Sequence, residues 1–310
     1  MKTELLQLCP FSPYLEQGLA ERHTVHRWDL IDDSDRFLDE HAESIRAVAT
    51  GGHIGIPADL MARLPVLGVV AINGVGYDKV DTVEARRRGI RVGTTPGILT
   101  DDVADLAVGM IIGLLRNLPQ AHAHVRDGHW PAGDMPLARK VSGRHFGILG
   151  LGNIGLATAR RLAPFGQISY CSLQRKDVPY PYFASVRELA EACDVLVLAA
   201  AANASTAHII NREVLDALGP EGWLVNVSRG ALVDEAALIT ALHEGRIAGA
   251  ALDVYAQEPH VPQALREAPN VLLTPHIASA TQETRRAMAD MVLANLDAYF
   301  AGQPLPGGVV

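Results

Sequence analysis

The eighteen residues from His145 to Leu162, HFGILGLGNIGLATARRL, leave this chain few ways to fold. An apolar strand runs straight into Gly150, Gly152 and Gly155, spaced G-x-G-x-x-G, and a helix follows at once. Each glycine answers a different steric demand. Gly150 permits the tight turn, Gly152 lets an anion approach the backbone, and Gly155 lets the helix lie close against its own strand. The helix then opens through Asn153 and Ile154 with its positive end toward that anion. The segment thus predicts a parallel α/β sheet, with a dinucleotide pyrophosphate held at Gly150, Gly152, Asn153, Ile154 and Gly155. A tight turn without a ligand is the plainer alternative.

The remainder of the chain repeats the same alternation. Before residue 97, LLQL, VHRW, IRAVAT, LGVVAI and RVGTT read as strands, with DLMARL and VDTVEARRRG helical between them. After residue 144 the strands HFGILG, QISYCS, DVLVLA, GWLVNVS, AGAALDVY and NVLLTP are continuously apolar, as strands covered by helices on both faces must be. Helix ends are legible as well. Ser185 and Glu188 form a capping box, Asp234 caps the helix that Gly245 closes, and Ser279 with Gln282 predicts the start of a long final helix toward Phe300. One long helix is expected from Thr100 to Pro119. Two α/β halves result, and the final helix can complete the second or return to the first.

Composition narrows the function. The 310 residues suffice for two domains, and 27 basic against 35 acidic residues give a net charge of −8, which argues against a nucleic-acid partner. Cys9, Cys171 and Cys193 are odd in number and far apart, so a disulfide framework is not expected. The N-terminal MKTELLQLCPFSPYLEQ lacks the unbroken apolar stretch of a signal peptide, and no apolar run is long enough to span a bilayer. A cytoplasmic location is expected, with no membrane partner.

The strand after the glycine loop, QISYCS, ends without the acid that usually binds both ribose hydroxyls of NAD; Cys171 falls at that place. Ser172, Arg175 and Lys176 follow, and these can donate to a 2′-phosphate. NADP is therefore the preferred cofactor, with NAD possible. The bland reading makes the two cations solvated loop charges, and Asp177 lies beyond them.

Chemistry is expected beyond the carboxyl ends of the strands. WLVNVS leads to Arg229, ALDVYAQEP carries Glu258, and VLLTPH ends in His276. Arg229 offers a planar fork for a carboxylate or polarised carbonyl, and His276 can pass a proton near neutral pH while Glu258 orients its ring. Singly, each has an ordinary explanation as a surface charge or a hydrogen-bonded imidazole. Together, after a dinucleotide loop, they suit hydride transfer to a 2-oxo acid.

Four segments, GILGLGNIG, VNVSRGALVDEAAL, GAALDVYAQEP and LLTPHIASAT, resemble the D-isomer-specific 2-hydroxyacid dehydrogenase family over nearly the whole chain. The resemblance implies Arg229, Glu258 and His276 as the catalytic set and Asp253 as the acid that holds the nicotinamide carboxamide. INGVGYDKVD resembles the loop whose backbone N–H groups at Val75 and Gly76 hold the substrate carboxylate, an anion nest that needs no charged side chain. It further implies two Rossmann-like or flavodoxin-like domains, a substrate domain of residues 1–97 and 279–310 and a cofactor domain of residues 98–278, with the C-terminal helix crossing back to the first. Within the family the chain most resembles the NADPH-using glyoxylate/hydroxypyruvate and hydroxyphenylpyruvate reductases. That branch commonly has Ser-Arg after the second strand; here Leu173 and Gln174 separate Ser172 from Arg175.

GHWPAGDMPL resembles the family's dimer-interface loop, so a homodimer is expected, with Trp130 and Met135 reaching toward a neighbouring subunit or simply packing. His122, His124 and His129 lack an acid or thiol in ligand spacing, and no metal is expected. A rival from another class is a redox-sensing binding module of the same fold, like the C-terminal-binding co-repressors. A third option keeps the chemistry and changes the substrate, to formate or phosphite.

Overall fold

The computed structural model describes residues 2–310 and resolves into two compact units, Met1–Leu99 with Ala280–Val310, and Thr100–Ser279. The first is built on five parallel strands: β1 (Thr3–Gln7), β2 (His23–Arg27), β3 (Ile45–Gly51), β4 (Val69–Asn73) and β5 (Arg91–Gly93). Their order, β2-β1-β3-β4-β5, is the flavodoxin-like one. Alternate residues serve opposite faces, as the strand period of two requires. Leu6, Val48, Val70 and Ile72 pack with Leu38 and Phe37 on one side. Leu5, Ala47, Val69 and Ala71 pack with Leu15, Leu19, Val292 and Leu296 on the other.

The last two of these apolar partners, Val292 and Leu296, come from afar in sequence. The final helix, Gln282–Phe300, therefore returns to the first unit, whose sheet it covers together with the helix Pro13–Arg22. Buried Asn295 fastens the tail behind it: its Nδ2 donates to Thr94 O at 3.0 Å and its Oδ1 accepts from Gly307 N at 2.9 Å. The helix begins one residue after Thr281, whose hydroxyl accepts from Thr284 N. The capping pair expected at Ser279 and Gln282 thus gives way to Thr281.

The second unit holds seven parallel strands: β6 (His145–Leu149), β7 (Gln167–Cys171), β8 (Tyr182–Phe183), β9 (Val195–Leu198), β10 (Trp223–Asn226), β11 (Gly249–Leu252) and β12 (Val271–Leu273). The order β12-β11-β10-β9-β6-β7-β8 reverses direction between β6 and β9, and in open α/β sheets ligands bind at that switch point. Ser185 and Glu188 form the reciprocal capping box, and the Asp234 side chain accepts from Ala237 N. The helix expected to reach Pro119 stops at Leu115. Asn117 takes a left-handed conformation (φ 51°), and Pro119 lies in the first turn of a new helix, Leu118–Arg126. Proline is at home there because its missing N–H has no helical partner to lose.

Cys9, Cys171 and Cys193 are all free and buried. Burial pushes the Cys193 thiol up to about 12, so it stays protonated and packs as an apolar group. Among the described residues no helix is long and apolar enough to cross a membrane.

Candidate active site

The glycine loop makes visible why these three positions lack side chains. Gly150 has φ +90°, and a Cβ on it would lie 2.5 Å from Ala200 Cα. On Gly155 a Cβ would lie 1.9 Å from Gly150 O, so the helix Asn153–Leu162 touches the loop with bare backbone. Gly152 differs: nothing lies within 4 Å of a Cβ built there. It is the N-cap of that helix and supplies no side-chain cap bond, so the first helical N–H groups face open space. A pyrophosphate fits this end on charge, on donors and on room.

Beyond β7 the chain turns back over Tyr170, whose hydroxyl accepts from Lys176 N at 2.7 Å and donates to Lys176 O at 3.2 Å. Ser172 Oγ donates to Gln174 O at 2.6 Å. Arg175, Lys176 and Asp177 are exposed on this turn. Cys171, which occupies the position of the missing acid, is buried.

Strands β10, β11 and β12 run side by side in register, with Asn226 opposite Leu252 and Leu252 opposite Leu273. Residues just past these three ends are therefore neighbours. By strand spacing, β10 and β12 lie roughly 10 and 19 Å from β6. An extended dinucleotide whose phosphates rest on the glycine loop covers that span.

Arg229 stands in a loop braced from inside. Buried Asn226 donates to Arg229 O at 2.9 Å and accepts from Ser228 N at 3.0 Å, while Ser228 Oγ bonds Ala200 O. The next residue, Gly230, packs so closely on β11's continuation that a Cβ would meet Tyr255 C at 2.0 Å. This contact draws Arg229 toward the segment that carries Glu258.

Glu258 and His276 meet directly. Glu258 Oε2 lies 2.7 Å from His276 Nδ1, and Glu258 Oε1 accepts from Tyr255 N at 3.1 Å. Both side chains are partly exposed, His276 to 32 % and Glu258 to 20 %, so the pair stays reachable from solvent. Nδ1 faces the carboxylate, so proton exchange with a substrate falls to Nε2.

His276 also has a left-handed backbone (φ 53°), uncommon for a residue with a Cβ. Asp253 holds it there. Fully buried, Asp253 accepts from Thr274 Oγ1 (2.6 Å), Ile277 N (2.8 Å) and Ala278 N (2.9 Å), and its backbone carbonyl accepts from His276 N at 2.9 Å. The carboxylate implied as a carboxamide partner thus spends three of its four acceptor sites on the histidine turn, leaving one on Oδ2. Tyr255 adds a strut that sequence reading missed. Its hydroxyl shares its one proton between Leu252 O (3.1 Å) and Thr274 O (2.9 Å), tying β11 to β12, and burial first, then the Asp253 charge, push its phenol up to about 12. The apolar-run-plus-Tyr pattern of LDVY offered the signal: a buried tyrosine needs a partner for its hydroxyl.

In the first unit, Val75 and Gly76 follow β4 in a half-buried turn. Gly74 O accepts from Thr95 N and Tyr77 O from Val80 N, while among the described residues no acceptor takes the N–H of Val75 or Gly76. Unpaired neighbouring N–H groups of this kind suit a carboxylate.

Comparison with known proteins identifies the family. The sequence model for the NAD binding domain of D-isomer specific 2-hydroxyacid dehydrogenases matches residues 108–278. The chain is 48% identical to hydroxyphenylpyruvate reductase of Plectranthus scutellarioides, over 99% of this chain and 98% of that one. With glyoxylate/hydroxypyruvate reductase A HPR2 of Arabidopsis thaliana it shares 47% identity, over 99% and 98% of the two chains. The crystal structure of an NADPH-dependent glyoxylate/hydroxypyruvate reductase from Sinorhizobium meliloti, in complex with NADP and malonate, superposes with a TM-score of 0.93 at 41% identity, covering 100% of this chain and 97% of that one.

Proposed function

Because the chain belongs to the D-isomer-specific 2-hydroxyacid dehydrogenase family, we propose that it reduces a small 2-oxo acid, glyoxylate or hydroxypyruvate in kind, to the D-2-hydroxy acid with NADPH, NADH serving as a second reductant. The observation that carries the reading is the 2.7 Å contact between Glu258 and His276, set just past the strand ends that also bring Arg229.

The bound nicotinamide supplies a hydride to C2 of the oxo acid. The chain does the rest. Arg229 receives the carboxylate and carbonyl oxygen through its planar guanidinium, polarising the carbonyl. The backbone N–H groups of Val75 and Gly76 are assigned to the carboxylate. His276, charged and steadied by Glu258 at Nδ1, gives the Nε2 proton to the carbonyl oxygen as it becomes a hydroxyl, and solvent restores that proton afterwards. Gly150, Gly152, Asn153, Ile154 and Gly155 receive the pyrophosphate, and Ser172, Arg175 and Lys176 the 2′-phosphate. Asp253 keeps the histidine turn in place, with one acceptor site left for the carboxamide.

We assign the working form to a homodimer in the cytoplasm. Leu118, Val125, Trp130 and Leu137 are all at least half exposed along one segment, and apolar exposure of this density marks an interface. The dispersed, unpaired thiols fit a reducing compartment.

The test is a substrate panel: oxidation of NADPH with glyoxylate, hydroxypyruvate, phenylpyruvates and 2-ketogluconate, each repeated with NADH. Turnover on at least one 2-oxo acid is expected, and His276→Ala should lower kcat by ~10²–10⁴-fold while leaving NADPH affinity intact. Turnover in that variant within a few-fold of wild type overturns the acid assignment. NADPH binding with no turnover on any substrate favours the binding-module reading.

A further inference from the structure

The first unit carries a second cluster of titratable side chains that the proposed reaction does not use. Glu4 lies on β1, His26 on β2, and His41 ends the helix Ser34–His41. Glu4 Oε2 is 3.0 Å from His26 Nε2 and 3.4 Å from His41 Nδ1, and the three ligand atoms all lie within 4.8 Å of one another. Among the described residues this is the one group of three His, Cys, Asp or Glu side chains gathered so closely.

The fold, not the local sequence, assembles it. On β1 and β2, Glu4 pairs with Thr24 and Leu6 with His26, so Glu4 and His26 sit diagonally on one sheet face. The helix Ser34–His41 covers that same face through Leu38 and Phe37. Phe37 and His41 are four residues apart on it, with rings stacked at 4.8 Å, and His26 stands 5.2 Å from Phe37 and 4.7 Å from His41. Both imidazoles are thereby fixed against an aromatic wall. Ser44 Oγ, 2.6 Å from Glu4 Oε2 and 2.8 Å from His41 O, orients the carboxylate from behind.

We propose that Glu4, His26 and His41 form a site for one divalent transition-metal ion, Zn²⁺ by preference, with solvent completing its coordination. Two imidazole nitrogens and one carboxylate oxygen are a donor set that suits zinc and disfavours Mg²⁺ and Ca²⁺, which take oxygen ligands. Zinc–ligand bonds of ~2.0–2.1 Å in a tetrahedron place neighbouring donors ~3.3 Å apart. The Glu4–His26 and Glu4–His41 separations, 3.0 and 3.4 Å, bracket that value. The His26 and His41 ligand atoms already lie within 4.8 Å of each other, and a small χ adjustment of His41 along the Phe37 ring closes that edge. The ion ties the exposed edge strand β2 to β1 and to the helix above, bracing the edge of the sheet.

The experiment uses the full chain, stripped with EDTA and dialysed, and the ions themselves as probes. Calorimetric titration with ZnCl₂ should give one ion per chain. At about a hundredfold excess over Kd, Zn²⁺ should raise the melting temperature by roughly 5–10 °C. Co²⁺ should give the intense visible absorption of a tetrahedral centre. His26→Ala, His41→Ala and the isosteric Glu4→Gln should each weaken Zn²⁺ binding by at least ~10-fold, and Ser44→Ala by less, with circular dichroism in EDTA reporting that each variant is folded. Absence of stoichiometric binding to the wild-type chain overturns the proposal. So does undiminished binding to a folded His26→Ala/His41→Ala double variant, which would assign the ion to other histidines such as His122, His124 and His129.

Discussion

Gly152 and Gly155 stand three residues apart in one motif, yet the structure assigns them separable duties, and a pair of alanine substitutions tests the division. At Gly155 a methyl group would sit 1.9 Å from Gly150 O, where real Cβ contacts stay beyond 3.0 Å. The helix Asn153–Leu162 would have to back away from the loop by about 1 Å, and the opposing atom is backbone that cannot swing aside. Overpacking of this kind costs ~1–3 kcal/mol, which for a unit of this size lowers the melting temperature by roughly 3–10 °C. At Gly152 the protein offers no atom within 4 Å and φ is −79°, a value open to alanine. Gly152→Ala should therefore melt within ~1 °C of wild type. Its methyl group instead enters the space assigned to the pyrophosphate. Losing one charge-assisted N–H contact there amounts to ~1.5–3 kcal/mol, or ~10–150-fold in Kd for NADPH. Scanning fluorimetry without cofactor, paired with calorimetric NADPH titration, reads both quantities. The reasoning fails if the two variants lose stability alike, if Gly155→Ala melts like wild type, or if Gly152→Ala binds NADPH undiminished.

Three further outcomes are expected. His23 is buried, and burial, outweighing a backbone contact with Thr3, holds its imidazole below the usual 6.5. The folded state then favours the neutral ring, so this stability is complete above pH ~6.5 and is lost as pH falls below it, by at most ~1.4 kcal/mol per pH unit. His23→Phe, which keeps a ring against Phe300, should flatten the denaturation-midpoint profile below pH 6.5; equal slopes in both proteins would refute the assignment. Arg175→Ala should raise KM for NADPH by about 5–10-fold, the lower end for an exposed charge-assisted bond, and leave KM for NADH unchanged. Asp253→Asn places an amide NH₂ against N–H or O–H donors on one side or the other. It should cut kcat ~10–100-fold through the loosened His276 turn with little change in NADPH affinity, whereas a main role on the carboxamide would move KM for NADPH instead.

How much of this was legible in the sequence depended on whether a signal was local. Gly150, Gly152 and Gly155 declare a turn, a ligand approach and a helix–strand contact within six residues, and the backbone needs those three things there. Ser185 with Glu188 and Asp234 before Glu235 are caps that satisfy N–H groups three residues away, so they too read directly. Ser279 and Thr281 offered the final helix two hydroxyl caps two residues apart. The choice between them is tertiary: buried Asp253 claims the N–H groups of Ile277 and Ala278, holding the turn just before, and the helix starts after Thr281. Asn117 was a signal passed over. Asparagine tolerates the left-handed conformation, and with Pro119 in the next first turn it divides what reads as one helix into two.

The two side-chain clusters separate along the same line. Arg229, Glu258 and His276 could be proposed because each follows a strand by a few residues, and parallel strands adjacent in the sheet deliver their ends to one edge. Knowing that the strands are parallel was enough to propose the meeting. Glu4, His26 and His41 lie within strands and at a helix end, where position depends on register to the single residue. Sliding β2 by one position against β1 would turn His26 to the opposite face of the sheet and dissolve the group. A search for metal ligands by spacing therefore stops at His122, His124 and His129, which lie near one another in sequence, and passes over residues 22 and 15 positions apart that pairing and packing bring together. The zinc titration consequently tests more than an ion: a single stoichiometric site lost in His26→Ala requires Leu6 opposite His26, and so reports the β1–β2 register in solution.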